Sequence, residues 1–197
     1  MMKIIPVVKV HKLLTFGKRF DRSRVDMFMD ALDEKILYLI DEIGIKKNNP
    51  QVNVYQQLAS TYELWVDSGP RDSGDVVDLV FSGVKTIVIR PSLWQEIDMK
   101  NVRSMTDHPL LGLQEVIVED RRSIDDSLSL IGFYDGMIVS IIGEWNQRRF
   151  KNEEAVKSIA TRDESYVYES AGLNKKTWEH YGFTGMLVDN EFINEVR

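Results

Sequence analysis

Eight short apolar runs recur along this chain, and their spacing constrains the fold more than any other feature. They are Ile4–Val10, Ile36–Ile40, Leu64–Val66, Thr86–Ile89, Glu115–Val118, Met137–Ile142, Tyr166–Tyr168 and Gly185–Val188. Rich in Ile, Val and Tyr, they have the composition of buried strands. Neighbouring runs start roughly 20–30 residues apart, the length of one strand plus one crossover helix. Helical patterns fill several of the gaps. Arg24–Lys35 sets Val25, Phe28, Met29 and Leu32 on one face. Ser73–Ser82 carries Val76, Val77, Leu79 and Val80 and is followed by Gly83, a C-cap residue by type. Asn152–Ile159 opens on an N-cap residue type, with Glu153 and Glu154 in the first turn, where the helix dipole favours acids. Lys175–Tyr181 precedes Gly182 as the earlier helix precedes Gly83.

Strands alternating with crossovers imply a parallel sheet covered by helices. Eight strands also close a barrel, usually in about 250 residues. At 197 residues this chain leaves room only for short loops. The competing arrangement is an open doubly wound sheet with a strand or two fewer. An internal repeat favours the barrel. Gly83-Val84-Lys85-Thr86-Ile87-Val88-Ile89-Arg90-Pro91-Ser92-Leu93 aligns without gaps on Gly182-Phe183-Thr184-Gly185-Met186-Leu187-Val188-Asp189-Asn190-Glu191-Phe192. Upstream, Trp65-Val66-Asp67-Ser68-Gly69 parallels Tyr168-Glu169-Ser170-Ala171-Gly172. The expected fold is therefore α/β: a compact eight-stranded β/α barrel of two similar halves, one domain over residues 1–197.

Composition removes several functions. The net charge is −6, which opposes a phosphate backbone, so nucleic acid is not expected as a partner. The chain has no cysteine, which excludes disulfides, thiol nucleophiles and cysteine-ligated zinc. No stretch approaches a spanning apolar helix, and Met1–Val10 is too quickly charged for a signal peptide. No membrane association and a cytoplasmic location are the expectation. A small-molecule ligand and a homo-oligomer both stay open as partners. No cofactor motif is present.

Several segments, taken in order, carry a family resemblance. Ile4-Ile5-Pro6-Val7-Val8 reads as a first strand, followed by the Gly/Arg loop Gly17-Lys18-Arg19-Phe20-Asp21-Arg22. Leu37-Tyr38-Leu39-Ile40-Asp41 is a second strand ending in Asp, and Glu63-Leu64-Trp65-Val66-Asp67-Ser68-Gly69-Pro70-Arg71 a third with a small-residue and Arg tail. Tyr181–Val188 leads into an eighth. Together they resemble the histidine-biosynthesis barrels: the ribotide isomerase (phosphoribosylformimino-AICAR isomerase) and the cyclase subunit of imidazole glycerol phosphate synthase. The likeness is greatest to short relatives of the isomerase and covers nearly the whole chain. It implies a half-barrel repeat, catalytic Asp residues ending strands one and five, and two phosphate sites. Here Lys9 stands at the first Asp position, while Glu119 or Asp120 lies near the second. Arg90-Pro91 replaces a Gly-Thr after strand four, the strand-seven loop keeps only Gly172, and Asp189-Asn190 follows strand eight. Proline lacks an N–H donor and Asp repels phosphate, so these departures argue against the family's own reaction.

In such a barrel function sits at the C-terminal ends of the strands. Those ends offer Lys9, Asp41, Asp67, Arg90, Glu119, Asp120, Glu144, Glu169 and Asp189. Lys9, Asp41, Asp67, Glu119, Asp120 and Glu169 are the catalytic candidates. Gly17, Arg19, Arg71, Arg90, Gly172, Asp189 and Asn190 are the ligand-binding candidates. Three uses compete: an ion-pair lattice in place of an old active site, Lys9 as base or Schiff-base former, and divalent metal binding by oxygen ligands. The acids show no local ligand motif, so no metal residue is named. His11, His108 and His180 have no paired ligand spacing, and Trp65, Trp94, Trp145 and Trp178 read mainly as packing groups. As an enzyme the chain would be a sugar-phosphate or carbonyl isomerase or lyase; the alternative is a non-catalytic scaffold or regulatory subunit.

Overall fold

The computed structural model describes residues 2–10, 22–32, 35–96, 98–118, 130–143, 152–169 and 174–189. Its strands are hydrogen-bonded in chain order as a closed barrel. They are β1 (Lys3–Lys9), β2 (Ile36–Ile40), β3 (Glu63–Asp67), β4 (Thr86–Ile89), β5 (Leu110–Ile117), β6 (Gly136–Ile142), β7 (Ser165–Glu169) and β8 (Gly185–Asp189). Among the described residues the intervening helices are α1 (Arg22–Leu32), α2 (Glu42–Lys47), α3 (Val52–Ala59), α4 (Ser73–Phe81), α5 (Met99–Met105), α6 (Glu153–Ala160) and α7 (Lys175–Tyr181). No helix among these residues is long and apolar enough to cross a membrane.

All eight apolar runs are strands. β5 starts at Leu110, well ahead of its expected start at Glu115. Gly112 interrupts the apolar pattern there. A Cβ at that position would lie 2.6 Å from the Tyr134 ring, so packing requires the glycine that hides the strand. Asn152 stands at the N-cap of α6 as expected, but its side chain makes no capping bond. The helices α2 and α5 carry too few apolar residues to stand out by periodicity.

The chain divides into two compact units, Pro6–Leu110 and Met1–Ile5 with Leu111–Arg197. Four strands belong mainly to each, β1–β4 and β5–β8. The repeated segment looks alike in both. Gly83 and Gly182 follow helices α4 and α7 with φ of 85° and 102°, a backbone that favours glycine. In each case the strand begins three residues later, at Thr86 and Gly185.

Register fixes which side chains share a face. In the first unit Leu37 pairs with Leu64, Tyr38 with Trp65, Leu39 with Val66 and Ile40 with Asp67. Leu37, Leu39, Leu64 and Val66 are fully buried. They are in phase with Asp41, whose side chain caps α2, so this face is the one under the helices. Tyr38, Ile40, Trp65 and Asp67 occupy the opposite, inner face. Lys9 pairs with Ile40, and Thr86 with Trp65, which puts Lys9 and Arg90 in phase with Asp67.

Candidate functional site

The strand ends of the first unit hold two separate carboxylate assemblies. Asp67 ends β3 on the inner face and is fully buried. Arg90, just past β4, grips it with both arms: Nε donates to Oδ1 at 2.8 Å and Nη2 to Oδ2 at 2.6 Å. Tyr38, two residues from the end of β2, donates its hydroxyl to Oδ2 at 3.2 Å. The Arg90 side chain keeps only 12% of its exposure. Bidentate geometry satisfies the planar guanidinium and both carboxylate oxygens, which a buried pair requires.

Asp41 directly follows β2, in phase with its other face. Its Oδ1 accepts the backbone N–H of Ile43 and of Gly44, each at 3.0 Å, and its Oδ2 accepts the N–H of Gln51 at 2.8 Å. The Tyr55 hydroxyl of α3 also donates to Oδ2. Burial, and then the Asp41 charge, push the Tyr55 phenol far above the usual tyrosine range. Gly44 belongs to this assembly, because a Cβ there would lie 2.7 Å from the Ser68 carbonyl oxygen. Asp41 therefore binds both helices of the β2–β3 crossover to the strand end.

The second unit repeats the theme with different residues. Glu169 ends β7 and is buried. Its Oε2 accepts the Asn174 N–H and the Trp178 Nε1–H, both at 3.0 Å, and Oε1 accepts the Asn174 side-chain amide. Trp178 is fully buried and meets Tyr181 and Phe183 edge to face. Glu169 thus anchors α7 much as Asp41 anchors α2. Asp189 ends β8 and is buried; the Tyr168 hydroxyl donates to its Oδ2 at 2.9 Å. Tyr168 pairs with Leu187, two residues before Asp189, the same step that separates Tyr38 from Asp67.

The remaining candidates fall as follows. Lys9 is half-buried at the end of β1 on the inner face. Arg71 donates Nη2 to the Ile45 carbonyl at 2.9 Å and its backbone N–H to Asp75, so it ties the β3 loop to α2 and α4. His108 lies beside Thr106, with Nδ1 3.2 Å from the hydroxyl. Gly17, Arg19, Glu119, Asp120, Gly172 and Asn190, like His11, Glu144 and Trp145, lie outside the described residues. Among the described residues no group of three or more His, Asp or Glu could hold a metal.

Sequence reading found the strand-end carboxylates and, in its ion-pair alternative, Arg90 as a neutralising cation, but missed their aromatic partners. Tyr38 and Tyr168 look like ordinary strand residues. Their signal is positional: a tyrosine level with the residue two before a terminal Asp on the next strand. Tyr55 and Trp178 had no such signal, since each reaches a strand end from a helix.

Chemically, three of these carboxylates have internal donors on both oxygens. A general base needs a lone pair aimed at a substrate proton. Asp41, Asp67 and Glu169 spend both oxygens on the protein's own donors. The chain matches no family model, and no curated protein matches it.

Proposed function

We propose that this chain is a non-catalytic barrel of the ribotide-isomerase lineage, serving as a scaffold or regulatory subunit. The order of the strand motifs and the Gly83/Gly182 repeat support the lineage. The observation that carries the functional part is the fully buried Asp67, held by both arms of Arg90 and by Tyr38. A carboxylate used that way contributes to the fold, and releasing it for proton transfer would break both of its bonds to Arg90, whose side chain is only 12% exposed.

Thermal-shift and turnover screens with sugar phosphates and small carbonyl compounds test this directly. The expected result is no turnover. Turnover that disappears in Lys9→Met would overturn the proposal and favour the isomerase or lyase reading. That second reading has one observation behind it: Lys9 is half-buried and on the inner face, where a substrate carbonyl would be reached.

A further inference from the structure

Beside the end of β3, the first unit holds a cleft with an empty volume of about 300 Å³, at the small end of the range for ligand sites. One wall is the link from α2 into α3, with Pro50 and Val52. The other is the turn from β3 to α4, with Ser68, Gly69 and Pro70. Asp75, Asp78 and Leu79 of α4 complete it. The two aspartates are three residues apart on the helix, which puts their Cβ atoms about 5–6 Å apart on one side. Asp75 has a task in the fold. Its Oδ2 accepts the Arg71 backbone N–H at 2.7 Å, and an acid in the first turn suits the helix dipole. Asp78 has no such task. It is exposed, and among the described residues no hydrogen bond or ion pair reaches its side chain.

We propose that this cleft receives the guanidinium of an arginine carried by a partner protein. The partner rests on the scaffold reading above; the cation site rests on the cleft alone. Its two charged lining residues are both aspartates, and all of the lining lies among the described residues. The basic groups nearest in sequence do not line it. Lys46 pairs with Glu42, Arg71 gives Nη2 to the Ile45 carbonyl, and Lys47 is exposed at the end of α2. A hard metal ion would need about six oxygens, whereas the remaining walls are largely proline, valine and leucine. A guanidinium suits both features. It is planar and weakly hydrated, with donors on two edges for two carboxylates. Its aliphatic stem would lie on Val52 and Leu79. A lysine ammonium is more strongly hydrated and loses more on entering between apolar walls.

The test is an amide NMR titration of the full chain with acetyl-arginine methylamide and with its neutral isostere, acetyl-citrulline methylamide. Saturable shifts at the Ser68, Gly69 and Asp78 amides are expected with the arginine probe, and binding of the citrulline probe weaker by about threefold or more. Asp78→Asn, an exposed substitution, should remove that difference and leave citrulline binding as it was. The site is overturned if the arginine probe gives no saturable shift at these amides. It is equally overturned if citrulline binds as tightly, or if Asp78→Asn keeps the preference. Agmatine separates the sources, because it carries the same guanidinium on a free amine. Agmatine binding about tenfold tighter than the blocked arginine would assign the cleft to a free metabolite and overturn the partner assignment. Turnover in the screens described above would sink the scaffold reading and leave these shifts in place, so the two failures are distinguishable.

Discussion

Asp67 and Arg90 form a buried pair whose value depends on both members staying in place. Breaking such a pair typically costs about 3–5 kcal/mol, while replacing both members with apolar residues of similar volume is often neutral. Asp67→Ala should therefore lower unfolding free energy by roughly that amount, and Asp67→Leu with Arg90→Met should recover most of it. Equilibrium urea unfolding of the four corners of this cycle is the check. Tyrosines give a second residue-scale readout. Burial first, and a hydrogen bond to Asp26 next, push the Tyr62 phenol up to about 12. Burial and the Glu153 contact push Tyr181 up to about 12. Both values exceed that of an unfolded tyrosine, about 10. The stability they lend is complete below pH 10 and is lost as pH rises from about 10 to about 12. An ultraviolet phenolate titration should show late-ionising tyrosines, with one fewer in Tyr62→Phe and one fewer in Tyr181→Phe.

At the scale of elements, carboxylates are the hinges between strands and helices. Asp41 directly follows β2 and is at once the N-cap of α2 and the acceptor for Tyr55 of α3. Gly44 lets α2 come close enough to Ser68 for that to work. Gly44→Ala should cost about 1–3 kcal/mol, the usual penalty of forcing atoms into a packed site. Glu169→Ala would leave the buried Trp178 Nε1–H and the Asn174 N–H without their acceptor. Each such loss costs about 1–3 kcal/mol. Hydrogen exchange should speed up at α7 first, beginning with the Asn174 amide. Uniform exchange across the chain in that variant would contradict the anchoring role. These elements also show why some helices escaped sequence reading. α2 is six residues long and rests on its cap rather than on an apolar stripe. Its determinant is Asp41, which a one-dimensional reading assigns to the strand before it.

At the scale of the molecule, the strands were legible because buried parallel strands write themselves as apolar runs, and the repeat favoured closing them into a barrel over an open sheet. The Gly83 and Gly182 repeat was legible because a left-handed helix end demands a specific residue. Strand ends could be named, but not the direction in which each side chain points. Asp41 and Asp67 both stand at strand ends, yet Asp41 faces helices and Asp67 the inner side. That difference follows from a one-residue phase and from which donor arrives from elsewhere in the fold. Asp41, Asp67 and Glu169 read as catalytic candidates and Asp189 as a ligand-binding one, and in the structure each accepts a hydrogen bond from an internal donor. The central claim is that these four carboxylates serve the fold. Residues kept for chemistry commonly cost stability, so neutralising them often stabilises a protein. Denaturant unfolding of Asp41→Asn, Asp67→Asn, Glu169→Gln and Asp189→Asn, each against the parent chain, separates the cases. All four variants should be less stable, with Asp67→Asn and Asp41→Asn the most affected. A variant at Asp67 that folds and is more stable than the parent would contradict the account.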